Sequence, residues 1–92
     1  MIYIKTLDWD EDTEEHIARH GVTIDEVEEA VNNIQFAKRS RKYLLVLAQT
    51  ESGRHLAVIL DALGRGTWRV VTARSATASE RRLISKKTTR RK

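Results

Sequence analysis

The stretch WRVVTARSATASERRLI, residues 68–84, contains the change from strand to helix around which the chain is organised. Its first six residues are rich in apolar and β-branched side chains, which is typical of a strand. Thr77 and Glu80 then have the spacing of a capping box, in which each side chain bonds to the other residue's backbone N–H at a helix start. The stretch therefore predicts a last strand and a C-terminal helix, with Arg74 at their junction.

Further strands are predicted upstream of this stretch. The predicted strands are 1–7, 34–38, 43–49, 55–60 and 67–73, with turns that include 50–53 and 61–66. Gly53 ends the turn between the two most apolar runs, as expected of a hairpin. Because the links between consecutive strands are short, the sequence predicts an antiparallel meander of three to five strands.

Two helices are predicted in the N-terminal half of the chain. The first, residues 9–20, has Asp8 as its N-cap and ends before Gly21, since glycine adopts the left-handed conformation of a helix end at little cost. Thr23 and Glu26 form a second capping box, and the apolar residues that follow recur at helical spacing. The apolar stripes predict that both helices pack on the sheet.

Together these elements predict an α+β fold. Two N-terminal helices pack on the antiparallel meander, and a short C-terminal helix follows it. Residues 1–85 are expected to form a single domain. Residues 86–92, KKTTRRK, contain no apolar side chain and are predicted to form a basic, disordered tail.

Charge is unevenly distributed along the chain. Residues 1–30 carry ten acids and two bases, whereas residues 31–92 carry three acids and fifteen bases. Such a split predicts one basic surface for an anionic polymer and one acidic surface that repels it. It is equally expected of a solvated, soluble surface with a basic tail.

Composition excludes several classes of function. The chain has no cysteine, which excludes a disulfide scaffold, a cysteine-based zinc site and a cysteine nucleophile. Its start lacks the pattern of a signal peptide, and its apolar runs are far shorter than the ~20 residues of a membrane span. We therefore expect a cytoplasmic protein that does not insert into a membrane.

Arginines dominate the candidate binding residues. Arg69 lies within the last predicted strand, Arg74 at its end, and Arg81 in the first part of the following helix. A phosphate near Arg74 would meet a guanidinium fork together with the free N–H groups of the helix start. The predicted RNA-binding residues are Arg69, Arg82 and Arg65.

Histidine and glutamate are the candidate acid–base groups. His16 and His20 have a spacing found in metal sites, but H-I-A-R-H lacks the glutamate of a zinc hydrolase motif and a third ligand. No metal and no cofactor is predicted. His20 either binds the free carbonyls of the helix end or acts as a general base, since imidazole exchanges protons near neutral pH. Glu80 is either the capping-box partner of Thr77 or an acid–base group.

Arginines near a histidine or a glutamate suit the cleavage of RNA by its own 2′-hydroxyl group. This reaction needs a base, an acid and cations that stabilise the pentavalent phosphorane. Two other functions fit the same residues. One is a non-catalytic RNA- or DNA-binding domain, and the other is a protein-interaction module whose partner has the opposite charge pattern.

Three stretches resemble the BrnT family of bacterial type II toxins. They are WDEDTEEHIARHGVTIDEVEEAV at 9–31, YLLVLAQTESGRHLAVIL at 43–60 and WRVVTARSATASERR at 68–82. The most specific parts are the W-D pair, the H-G pair with V-T beyond it, and the T-A-R-x-x-T-x-x-E-R-R block. The resemblance extends over residues 4–84, nearly the whole chain.

This resemblance implies a RelE-like fold and a metal-independent ribonuclease that stops translation. It also implies a cognate antitoxin with a ribbon-helix-helix domain, and either a homodimer or a toxin–antitoxin heterotetramer. Carried over to this sequence, the catalytic candidates are His20, Arg74, Glu80 and Arg81. Ile84 stands where the family pattern often has a tyrosine, so base stacking is expected to be weakened at that position.

Overall fold

The computed structural model describes the backbone of residues 3–89 and the side chains of residues 3–84. In chain order the elements are β1 (Thr6–Asp8), α1 (Glu11–Ala18), α2 (Ile24–Ala30), β2 (Ile34–Ser40), β3 (Tyr43–Gln49), β4 (His55–Gly64), β5 (Thr67–Ser75) and α3 (Ala78–Thr89). The predicted α+β fold is confirmed. One predicted turn is wrong, because residues 61–64 continue β4 instead of leaving the sheet.

The five strands form one mixed sheet in the order β1-β5-β4-β3-β2. Strands β2 to β5 make the predicted antiparallel meander. Strand β1 pairs in parallel with β5, with Thr6 opposite Thr67. The predicted sheet contained only antiparallel pairs. A parallel pair requires a long crossover, and the chain between β1 and β5 contains both N-terminal helices. The indole N–H of Trp68 donates to the carbonyl oxygen of Tyr3 at 2.9 Å and holds this edge.

Helices α1 and α2 cover the first face of the sheet. The core between the helices and the sheet is built mainly from fully buried aliphatic side chains, among them Ile17, Val27, Val46, Val58 and Leu60. Because partners across antiparallel strands share a face, alternate residues of β3, β4 and β5 all contribute to this layer.

The predicted N-cap of the first helix is wrong. Asp8 is the last residue of β1, where it lies opposite Arg69 of β5, so its backbone is extended by pairing in the sheet. The N-cap is Asp10, whose side chain makes no capping hydrogen bond. The helix therefore begins two residues later than predicted, at Glu11.

The turn between α1 and α2 forms as predicted. Gly21 has a φ of +74°. The N–H of Val22 donates to the carbonyl of Ile17 at 3.1 Å, and that of Gly21 to Ala18 at 2.9 Å, which is a Schellman motif. Its hydrophobic contact joins Ile17 and Val22, both buried. The capping box that opens α2 is also present.

Helix α3 packs on the second face of the sheet but covers only part of it. The buried residues of this layer are Leu47, Ala57 and Ile84, with Phe36 and Leu45 half-buried beside them. All five lie towards the end of the sheet where α3 begins. The rest of the second face is left uncovered by the described helices.

A β-bulge in β5 changes which residues share the second face. Strict alternation places Thr72 with Trp68 and Val70, but the register shifts so that Val70 lies opposite Leu60 and Thr72 opposite Ile59. The extra residue moves every later side chain to the other face. Arg74 consequently lies on the same face as Arg69, whereas an unbroken strand would place them on opposite faces.

Helix α3 reaches Thr89, beyond the predicted end of the domain at residue 85. The predicted tail, residues 86–92, thus starts within this helix, and residues 90–92 lie outside the described residues. The division into a domain and a disordered tail stays a prediction. No helix within residues 3–89 has the length and apolar character needed to cross a membrane.

We expect Ile17→Ala to lower the free energy of unfolding by about 2–5 kcal/mol, because it opens a cavity at the contact of α1 with the sheet and removes the Schellman contact. Urea denaturation measures the loss as a lower midpoint at an unchanged slope. Glu14→Ala, exposed on the same helix, is the matched control, with a change within about 0.5 kcal/mol. A loss below about 1 kcal/mol for Ile17→Ala would contradict the assignment of this residue to the core.

Candidate functional site

Arg74 and Glu80 form a bidentate ion pair where β5 ends and α3 begins. Arg74 Nη1 donates to Oε1 of Glu80 at 2.8 Å, and Nη2 donates to Oε2 at 2.9 Å. The Arg74 side chain is 37% exposed and that of Glu80 15% exposed. Two parallel hydrogen bonds fix the plane of the guanidinium group, so Arg74 is held in one orientation at the surface.

Glu80 also completes the predicted capping box of α3. Its Oε1 accepts from the backbone N–H of Thr77 at 2.8 Å, and its own N–H donates to Thr77 Oγ1 at 3.2 Å. One carboxylate therefore joins the helix start to the strand end. The capping role that the sequence left open for Glu80 is therefore present, and the structure adds a further role, in which Glu80 positions Arg74.

The ion pair shifts the pKa of both partners. The hydrogen bond from Arg74 is the main cause that lowers the pKa of Glu80 to about 2, with a further contribution from the N–H of Thr77. The same bond raises the pKa of Arg74. At neutral pH Glu80 is an ionised carboxylate that has no proton to donate, so it does not suit the role of a general acid.

Arg54 joins this strand end to the helical layer, and the sequence had not singled it out. Its Nη1 donates to the carbonyl of Gly21 at 2.7 Å and to both carboxylate oxygens of Glu26 at 3.0 Å. Its Nη2 donates to Ser75 Oγ at 2.9 Å. The only signal in the sequence is its place after the hairpin glycine, Gly53, which does not distinguish it from other basic turn residues.

His20 lies at the same end of the molecule as Arg74. It precedes Gly21, the residue whose carbonyl binds Arg54, and Arg54 in turn binds Ser75 next to Arg74. The His20 side chain is exposed and meets His16 edge to face, with ring centroids 5.3 Å apart. Within residues 3–84 no group of three or more potential ligands is placed to hold a metal ion.

His55, the first residue of β4, is a second histidine near the ion pair. It is half-buried, and its Nδ1 is enclosed with no hydrogen-bond partner among the described residues. Its carbonyl accepts from the N–H of Ala76 at 3.0 Å, which places it beside the strand end of Arg74. Hairpin ends are usually exposed, but α3 begins next to this one, and His55 is half-buried as a result.

The structure separates the remaining candidates into two groups. Arg81 and Arg82 are exposed on α3, and Arg82 Nη2 donates to Ser79 Oγ at 3.2 Å. Arg69 lies at the other end of β5, where its Nη2 donates to Asp61 at 2.8 Å. Arg65 is exposed in the adjoining turn. Arg69 and Arg65 are therefore not part of the Arg74–Glu80 site.

The position that departs from the family pattern is structural in this chain. Ile84 is 7% exposed and packs with Leu47 and Ala57 beneath α3. Its side chain faces the sheet and holds the helix in place. A stacking contact with RNA at this position is therefore not expected from the fold.

Among solved structures, the chain is similar to the ribonuclease toxin BrnT of Brucella abortus. The two share 23% identity, and the superposition has a TM-score of 0.63. It covers 78% of this chain and 96% of the toxin. The resemblance found in the sequence is thus confirmed for the fold. No family model and no curated protein matches the sequence.

We expect Glu80→Gln to lower the free energy of unfolding by about 1–3 kcal/mol at neutral pH. The loss is no larger because water screens the half-exposed Arg74 and weakens the ion pair. A carboxylate with a lowered pKa stabilises the fold above its ordinary pKa of 4.5, and this contribution disappears as pH falls towards about 2. The difference between wild type and variant should therefore be constant above pH ~5 and shrink below it.

Chemical denaturation between pH 2.5 and 7 measures this difference. Glu15→Gln is the control, because it removes an exposed pair with Arg19 on α1 and should lower stability far less. A difference that stays constant down to pH 2.5 would contradict the lowered pKa of Glu80.

Proposed function

We propose that this protein is a ribonuclease toxin of a bacterial type II toxin–antitoxin system, and that it cleaves RNA without a metal ion and so arrests translation. The observation that carries the proposal is the fixed Arg74–Glu80 pair at a helix start, in a fold shared with the BrnT toxin. The T-A-R and E-R-R elements of the sequence supply these two residues.

Arg74 keeps free donors after its contacts within the protein are counted. A guanidinium group has five N–H donors. Two bind Glu80, and a third, on Nη1, donates to the carbonyl of Ser75 at 3.3 Å. The Nε–H and one Nη2–H group remain. They suit two oxygens of a phosphate, and their charge would stabilise the phosphorane that forms when the 2′-hydroxyl attacks.

The other candidates fit supporting roles. Glu80 is ionised and holds the guanidinium plane, so we assign it positioning rather than proton transfer. Arg81 and Arg82 add exposed positive charge one turn into α3. His20 is the proposed base, since imidazole is the side chain that accepts a proton near neutral pH and its turn is joined to Ser75 through Arg54.

The proposed protein partner is a cognate antitoxin with a ribbon-helix-helix domain. Residues 1–30 carry ten acids and two bases, so this part of the surface repels RNA and remains available to a protein. We propose a cytoplasmic complex, either a homodimer of the toxin or a toxin–antitoxin heterotetramer.

A non-catalytic nucleic-acid-binding domain is the second candidate. It is favoured by the neutralisation of Arg74 by Glu80 and by the absence of a described hydrogen bond between Arg74 and either nearby histidine. The two candidates differ in one measurable outcome, which is whether bound RNA is cleaved.

We expect Arg74→Lys to lower the rate of RNA cleavage about 10²–10³-fold, because an ammonium group cannot make the bidentate contact or present two fixed donors to a phosphate. The measurement is cleavage of single-stranded RNA by purified protein, in the presence of EDTA. Wild type should cleave equally with and without EDTA. Arg19→Lys, an exposed arginine on the acidic side, is the matched control with an unchanged rate.

Two results would contradict the proposal. Full cleavage by a folded Arg74→Lys variant would remove Arg74 from the reaction. Salt-dependent RNA binding by wild type without any cleavage would favour the second candidate, because phosphate neutralisation alone accounts for such binding.

We expect the product of an adjoining gene to bind the toxin and relieve the growth arrest that expression of the toxin causes. Co-expression followed by size-exclusion chromatography with light scattering measures the complex and distinguishes a heterotetramer from smaller assemblies. Separate elution of the two proteins, with no relief of arrest, would contradict the proposed partnership.

A further inference from the structure

The part of the second sheet face that α3 leaves uncovered has two cross-strand rows of side chains. The row next to α3 runs through Leu45, which also packs at the edge of the layer beneath α3, and through Ile59 and Thr72; all three are half-buried. The outer row runs through Tyr43, Asp61 and Arg69. We call these two rows the open face. It continues directly from Arg74, which lies opposite Ala57 in the row beneath α3.

Tyr43 is the aromatic side chain of the open face. It is 39% exposed, and the ammonium nitrogen of Lys42 lies 5.2 Å from the centroid of its ring. That distance is within the range of a cation–π contact. Tyr43 therefore presents an aromatic ring with a cation held over one of its faces. An aromatic ring combined with a nearby cation is what binds a nucleobase and its phosphate in single-stranded complexes.

The hairpin that carries Tyr43 is strongly basic. Residues 34–50 contain four bases and no acid, and the bases are Lys38, Arg39, Arg41 and Lys42. All four are exposed, and none makes an ion pair with a residue of the described chain. They remain available for phosphates, whereas a protein partner at this surface would need a matching set of acids.

The single carboxylate of the open face does not repel an anion. Asp61 is almost fully buried, and its Oδ2 accepts from Arg69 Nη2 at 2.8 Å. The pair is neutral overall and holds the guanidinium group of Arg69 at Asp61, the residue that lies between Arg69 and Tyr43 in the outer row. Lys38, which lies opposite Leu45, adds positive charge on this face, whereas Arg39, opposite Leu44, belongs to the first face.

We propose that Tyr43 is a stacking platform for a base of the single-stranded RNA substrate, a few nucleotides away from the bond cleaved at Arg74, with Lys42 and Arg69 binding the adjoining phosphates. This proposal rests on the proposed ribonuclease function for the position of the cleaved bond. From Tyr43 to Arg74 the path crosses two strand spacings and four residues of β4, roughly 17 Å. One short extended strand of RNA spans that distance across the apolar floor of the open face.

The direct test uses a 12-nucleotide RNA whose 2′-oxygens are all methylated, so that it binds but cannot be cleaved. Tyr43→Ala should weaken its binding about 5–100-fold, the usual effect of removing one stacking aromatic. Tyr43→Phe keeps the ring and should bind within about twofold of wild type. Lys42→Met should lower the salt dependence of binding by about one counterion. Thermal unfolding confirms that each variant is folded.

A kinetic test separates the platform from the reacting group. On a long cleavable RNA, Tyr43→Ala should raise KM and leave kcat unchanged. On a dinucleotide, which is too short to reach Tyr43 from Arg74, the variant and wild type should cleave equally.

Unchanged binding of the methylated RNA by Tyr43→Ala would overturn the platform. Loss of affinity for a protein partner, with RNA binding unchanged, would also overturn it and assign the open face to protein docking. If wild type binds RNA through Tyr43 but cleaves none, the platform is supported and the ribonuclease function is refuted. The two proposals therefore fail separately.

Discussion

The ion pair between Arg74 and Glu80 determines where α3 begins and how it leaves the sheet. Glu80 bonds at once to the guanidinium group of the strand end and to the N–H of Thr77. Because one half-buried carboxylate accepts hydrogen bonds from both of these groups, the turn at Ser75 and Ala76 has little conformational freedom. The helix then lies over one end of the second sheet face, with Ile84 packed beneath it. The uncovered remainder of that face, and its exposure at the surface, follow from this placement.

The bulge at Val71 determines which charged side chains of β5 lie on the same face of the sheet. It shifts the register of β5 by one residue, so that Arg69 and Arg74 share a face although five positions separate them. Each arginine is paired with an acid, Asp61 or Glu80, in geometry that fixes its orientation. A half-exposed guanidinium group held in this way loses little side-chain freedom when it binds a phosphate, and its unused donors are already oriented.

Arg54 shows how the helical layer and the strand end act as one unit. It binds the carbonyl at the α1–α2 turn, the capping glutamate of α2 and the side chain of Ser75. Three segments therefore converge on a single guanidinium group. In sequence, His20 precedes its partner Gly21, and His55 follows Arg54 itself. Displacement of the helical hairpin would be transmitted to the end of β5 through this residue.

The sequence by itself determined the order of elements, both capping boxes, the glycine turn and the adjacency of Arg74 to a helix start, because each depends on residues within four positions of one another. Asp8, the faces of β5 and the contacts of Arg54 and His55 were decided only by the tertiary structure. Asp8 is extended because it pairs with β5, some sixty residues away in the chain. A bulge depends on the neighbouring strand, and burial of His55 depends on where α3 lies. The local spacing of apolar residues does not show which distant segments pair. Only the folded chain could therefore place Arg69, Tyr43 and Arg74 on one surface.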